Sequence, residues 1–201
     1  MEWLKLDLPD ADLRIAPEFL AVDEADHLFA HLLDEIAWEV HRLKIHGRVV
    51  ESPRRCSWIG DAAAIYTYSG SRFAPHAWTP TLLDLKSRAE IACDYAFNSV
   101  LANWYRDGRD AMGWHADNEP ELGPEPLIAS VSLGAERVMR FRRGRCGPSQ
   151  GWLLPHGSLL IMAGTTQTHY QHAIPRTTRP LGGRINLTFR QIHRSTPVAP
   201  G

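Results

Sequence analysis

No apolar run in the chain approaches the roughly 20 residues that a helix needs to cross a bilayer, so no membrane span is expected. The opening Met1-Glu2-Trp3-Leu4-Lys5-Leu6-Asp7 lacks a basic flank followed by an apolar stretch, and no secretory signal is expected either. Cysteine is scarce: Cys56, Cys93 and Cys146 are an odd, scattered trio without CxxC spacing. That argues against a disulfide framework or a thiolate zinc site and for reduced thiols in a reducing compartment. Internal repeats, low-complexity tracts and linkers are also missing. What is present is apolar material, 44% of 201 residues, enough for one sizeable core. One domain over residues 1–201 is expected, with 1–40 an acidic N-terminal extension and 195–201 a flexible tail.

A net charge of −1 conceals an asymmetry. Residues 1–40 carry eleven acids against Lys5 and Arg14, a balance of −9, whereas residues 41–201 carry twenty bases against twelve acids, a balance of +8. Basic residues gather at Arg42, Lys44, Arg48, Arg54 and Arg55, and again at Arg137, Arg140, Arg142, Arg143 and Arg145. Such a body can meet a phosphate backbone; equally, these arginines can be the solvated faces of exposed hairpins.

Helical periodicity is confined to the first half. Asp23 is a candidate N-cap for a helix in which Leu28, Phe29, Leu32, Leu33 and Ile36 form one apolar stripe. Thr79-Pro80 opens a second helix as cap and first-turn proline, followed by Leu82, Leu85, Ala89, Ala92 and Ala96 at helical spacing. After Asn98 short β-rich runs follow at 99–106, 127–133, 137–142, 150–154, 158–162, 166–174 and 183–192. Turns such as Asp107-Gly108, Arg143-Gly144 and Gly182-Gly183 separate them. Regularly spaced short strands mean a sandwich or barrel. The fold class is therefore an all-β core with flanking helices (α+β), a jelly roll buttressed on one outer face by two helices from the N-terminal half. Residues 44–76 read as shorter strands and loops.

Chemistry concentrates in a few short segments. In Gly113-Trp114-His115-Ala116-Asp117-Asn118-Glu119, an extended backbone places His115 and Asp117 on one face, so one segment offers an imidazole and a carboxylate to one ion. A third ligand would come from a distant strand, and His169 and His172 are both candidates. Two imidazoles with one carboxylate leave half of an octahedral Fe(II) open for reactants. Along 184–190, Ile185, Leu187 and Phe189 form one face and Arg184, Asn186, Thr188 and Arg190 the other. That polar face looks to water on an ordinary sandwich strand, or into a pocket inside a barrel. Arginine pairs bidentately with carboxylates, so two of them suit the ends of a short diacid. Asn103 and Tyr105, i and i+2 on another run, either finish that pocket or belong to a half-buried strand.

Asn103-Trp104-Tyr105, His115-x-Asp117, His172-Ala173-Ile174-Pro175 and Arg184-x-Asn186-x-Thr188-x-Arg190, in that order, resemble the AlkB family of Fe(II)/2-oxoglutarate-dependent nucleic-acid dealkylases. The resemblance covers roughly residues 50–193, including Pro53-Arg54, Tyr66-Thr67-Tyr68 and Ser130-Val131-Ser132. It is closer to the branch with the animal DNA-repair homologues than to the enteric-bacterial founder. It implies a double-stranded β-helix with Fe(II) held by His115, Asp117 and His172. Arg184, with Asn103 and Tyr105, would hold the far carboxylate of 2-oxoglutarate; Arg190 would pair with the carboxylate beside the keto group, and Asn186 and Thr188 would line the pocket. O2 would be the oxidant, and an N-methyl group would leave as formaldehyde.

The resemblance also implies a substrate: bases such as 1-methyladenine or 3-methylcytosine in DNA or RNA. A base inside a duplex cannot reach a buried iron, so it is single-stranded or flipped and stacked on an aromatic face, here Tyr66 and Tyr68. Asn118 and Glu119 would approach the base edge, Glu119 complementing a cationic base. The family often has an acid where Asn118 stands. In the duplex-acting relative an aromatic wedge precedes the Pro-Arg pair, and apolar wedges unstack a base step. Leu43-Lys44-Ile45-His46-Gly47-Arg48-Val49-Val50 here offers only Ile45 or His46, which predicts a preference for single strands. A monomer is expected, cytoplasmic in a bacterium or nuclear in a eukaryote. The competing expectation is a 2-oxoglutarate-dependent hydroxylase of a protein side chain or small metabolite.

Overall fold

Alternation of small apolar and β-branched residues along short segments builds two facing antiparallel sheets. The computed structural model describes residues 1–40, 42–45, 48–68 and 71–193, with the backbone alone at 42–45, 48–50, 66–68 and 71–73. The larger sheet runs in the order β1 (Leu4–Lys5), β2 (Asp12–Ala16), β13 (Leu159–Ala163), β10 (Ile128–Gly134), β15 (Arg184–Arg190), β8 (Ser99–Tyr105) and β5 (Arg55–Gly60). The smaller runs β12 (Ser149–Leu154), β11 (Arg137–Arg143), β14 (Tyr170–Ile174) and β9 (Met112–His115). Two hairpins, β3 (Arg42–Ile45) with β4 (Arg48–Glu51) and β6 (Tyr66–Tyr68) with β7 (Ser71–Phe73), pair outside both sheets.

Helices α1 (Val22–Glu35) and α2 (Pro80–Cys93) cover the outer face of the larger sheet. Leu32, Leu82, Leu85 and Ala89 meet Val100, Val131, Ile185, Leu187 and Phe189 there. Each fully buried leucine contributes about 1.5–3 kcal/mol. A second core lies between the sheets, where Leu13, Ile15 and Ile128 face Met139, Phe141 and Ile174. This is the expected jelly roll with two buttressing helices. Among the described residues no helix is long and apolar enough to cross a membrane.

Several local expectations change. The N-cap of α1 is Ala21 without a side-chain cap bond, so Asp23 and Glu24 instead lie in the first turn, where their charge complements the helix dipole. Thr79 does cap α2, its hydroxyl accepting from Leu82 N at 3.3 Å ahead of Pro80. Residues 166–174 are not one strand: helix α3 (Thr166–His169) precedes β14. The Thr166 hydroxyl accepts from Asp12 N and donates to Ala163 O, drawing the chain into a turn. The acidic residues 1–40 supply β1, β2 and α1; β2 pairs with β13 from Leu159↔Ala16 to Ala163↔Asp12. Residues 195–201 lie outside the described residues.

Candidate metal centre and co-substrate pocket

Strand pairing brings the two imidazoles together. β9 is the neighbour of β14, and His115 and His172 are direct cross-strand partners, ring centroids 4.2 Å apart. Asp117, two residues past His115, presents Oδ1 3.7 Å from His115 Nε2 and Oδ2 3.9 Å from His172 Nε2. One donor atom from each of the three residues lies within 4.8 Å of the others, spacing suited to a single ion. His115 Nδ1 is 2.9 Å from Gly113 O, which leaves Nε2 available to an ion. Burial pushes the His172 imidazole down to about 3, the neutral form a metal requires. Burial opposes the Asp117 charge, yet Arg190, His115 and His172 outweigh it and hold the carboxyl well below the usual range. His169 ends α3, outside this cluster.

Every residue of β15 is buried. Its apolar face meets the helices, so its polar face is turned toward the space between the sheets rather than to water. Arg184 is 1% exposed and gives Nη2 to Ser132 Oγ at 3.0 Å. Its Nε and Nη1 have no hydrogen-bond partner among the described residues. Burial lowers this guanidinium to about 10. A desolvated cation with two idle donors suits an anionic group such as a carboxylate. Asn186 donates to Ser130 Oγ at 2.7 Å and accepts from Thr188 at 3.1 Å. Arg54 donates to Asn103 Oδ1 at 2.6 Å, orienting the amide at the cavity wall that Asn103 and Tyr105 share with His115, Asp117 and His172. Arg190 Nη2 is 2.9 Å from Asp117 Oδ2, joining the polar strand to the carboxylate of the triad.

The profile of the 2OG-Fe(II) oxygenase superfamily matches residues 12–190. The chain belongs to that superfamily. It is 38% identical over 196 residues to alkB homolog 3, an alpha-ketoglutarate-dependent dioxygenase of Rattus norvegicus, covering 92% of this chain and 65% of the relative. It is 39% identical over 181 residues to the DNA oxidative demethylase ALKBH2 of Homo sapiens, covering 84% of this chain and 69% of the relative. The chain thus spans about two thirds of the length of these relatives, and just under that for the rat protein. Among solved structures, OsALKBH1 superposes with a TM-score of 0.67 at 16% identity, over 94% of this chain and 100% of the other, a likeness of fold.

For this oxygenase fold, the substrate side is less complete. Tyr66 and Tyr68 stand on β6, but their side chains lie outside the described residues, as do His46 and Gly47 and the side chains of 42–45 and 48–50. Asn118 is exposed, and Glu119 is half-buried ahead of the 3-10 turn Pro120–Leu122. The arginine cluster at 137–145 is not one surface patch. Arg137 is buried, Arg143 pairs with Asp10 at 2.7 Å, and Arg140 and Arg142 are held by Ser149 and Gln171.

Gln167 escapes any motif. It is 2% exposed on α3, and its Oε1 accepts Asp117 N–H at 2.9 Å. It therefore ties the segment carrying His115 and Asp117 to the one leading into His172. Gln167→Ala is expected to weaken metal binding about 10- to 100-fold, the usual range for a residue supporting a ligand. Competition with a chelator, followed with Mn(II), measures this; an unchanged affinity would remove the role.

Proposed function

We propose that the chain is an Fe(II)- and 2-oxoglutarate-dependent dioxygenase that demethylates N-alkylated bases, such as 1-methyladenine and 3-methylcytosine, in DNA, with RNA as a second polymer. The observation that carries the co-substrate assignment is the buried Arg184, with two idle donors, on the same polar strand as Arg190, which reaches the His115, Asp117 and His172 cluster. Iron with 2-oxoglutarate and O2 supplies the oxidation that converts an N-methyl carbon to formaldehyde, with succinate and CO2 as the other products. His115, Asp117 and His172 hold the ion. Arg184, Asn103 and Tyr105 bind the far carboxylate, Arg190 the near one, and Asn186 and Thr188 fix the walls by their mutual hydrogen bond. His172, neutral and buried, keeps the centre dry while His115, 24% exposed, marks the open side. Tyr66 and Tyr68 would stack the flipped base, with Asn118 and Glu119 at its edge.

The relative ALKBH2, a DNA oxidative demethylase, supports this choice of polymer. Single strands are the preferred form in this reading, since Ile45 and His46 replace an aromatic wedge, and the protein acts as an intracellular monomer, cytoplasmic in a bacterium or nuclear in a eukaryote. The test is succinate formation under Fe(II) and ascorbate with no oligonucleotide, a methylated single strand and the same strand in duplex. Stimulation should appear only with the methylated strands and be greatest for the single one. Equal succinate with and without oligonucleotide would sink the proposal, and equal turnover of both forms would sink the strand preference.

A further inference from the structure

Two buried guanidinium groups, not one, converge on the ring of Tyr105. Arg184 lies 5.2 Å from its centroid and Arg137 5.6 Å. Arg137 is 4% exposed and opens β11 on the face shared with Met139 and Phe141, between the sheets. Its hydrogen bonds among the described residues go to main-chain carbonyls: Asp107 O at 3.2 Å, Asp110 O at 3.0 Å and Pro175 O at 2.7 Å. Carbonyls hold the group in place without cancelling its charge. Besides Tyr105 itself, two carboxylates feel that charge, and each is engaged elsewhere, Asp110 with Arg106 and Asp107 with Arg109. Burial depresses the pKa of both buried arginines, and the charge on Arg137 depresses Arg184 further.

Two like charges taken out of water around one aromatic ring are unfavourable unless an anion joins them. Arg184 Nε and Nη1, which have no hydrogen-bond partner among the described residues, can touch that anion. We infer that Arg137 is a positioning residue for the co-substrate: it fixes the Tyr105 ring against Arg184 and adds a second positive charge where the far carboxylate binds. The inference rests on the 2-oxoglutarate assignment above. Cation–π contact from both guanidinium groups sets the ring, and a low-dielectric interior lets the extra charge act without touching the ligand.

Arg137→Gln removes the charge and keeps an amide donor; Arg137→Lys keeps the charge. For Arg137→Gln, the KM for 2-oxoglutarate should rise about tenfold or more, with kcat and the KM for a methylated oligonucleotide within about threefold of wild type. Arg137→Lys should restore the KM to within about threefold. A second readout avoids catalysis: the rise in Tm when 2-oxoglutarate is added to Mn(II)-loaded protein, each variant against its own ligand-free value. That increment should shrink in Arg137→Gln and persist in Arg137→Lys. A residue that merely tethers the loop 107–110 would lower the ligand-free Tm of both variants and leave the increment intact, which overturns the inference. So does equal loss of the increment in both. If the wild-type protein gains no stability from 2-oxoglutarate, the co-substrate assignment itself fails, and this inference with it.

Discussion

Replacing Asp117 with Ala should abolish succinate formation and, even in metal-free protein, cost about 3–5 kcal/mol of folding stability. Two functions meet at this side chain. In the proposed centre it is one of three donors for the ion, and it is the carboxylate 2.9 Å from Arg190 Nη2, with both side chains no more than 5% exposed. Removing one partner of a buried ion pair leaves the other's charge in low dielectric. His115→Ala removes a ligand as completely but leaves no buried charge behind, since His115 is partly exposed. It should therefore lose activity with little change in metal-free stability. Denaturant unfolding in the presence of a chelator separates the two variants. Equal metal-free stability of Asp117→Ala and wild type would show that the pair contributes nothing to the fold.

Arg184→Met should have the opposite stability signature. The KM for 2-oxoglutarate should rise about a hundredfold or more, since truncating a buried charge contact costs about 2–5 kcal/mol of binding. Ligand-free protein should be as stable as wild type or more so, because an apolar side chain of similar length replaces a desolvated cation with idle donors. Thermal unfolding and steady-state kinetics on the same preparation check both halves. A large loss of ligand-free stability would mean that Arg184 is held for the fold rather than for the co-substrate.

Much of this was legible because alternation and burial act on single strands. The period-two pattern of 184–190 marks two faces, and only the covering of the apolar face by α1 and α2 decides that the polar one is internal. Parity along one regular strand would set His169 and His172 on opposite faces and favour His172, but Thr166 turns the chain into α3, so the two are separated by a helix rather than by that parity. Gln167 was invisible for a different reason: its partner is a main-chain N–H fifty residues away. Arg137 was hidden inside a basic cluster, though its parity with Met139 and Phe141 placed it on the apolar face of β11. β2 went unread because five residues between Asp10 and Pro17 carry too short an alternation to stand out.

β9 is the outermost member of its sheet, zipped on one side to β14, and its register slips between the His172 and Ile174 positions. An ion gripped jointly by His115 and His172 would rivet that border strand to its neighbour. Fraying of the border and escape of the ion thereby become a single equilibrium, so anything that loosens the strand also bleeds the centre of its metal.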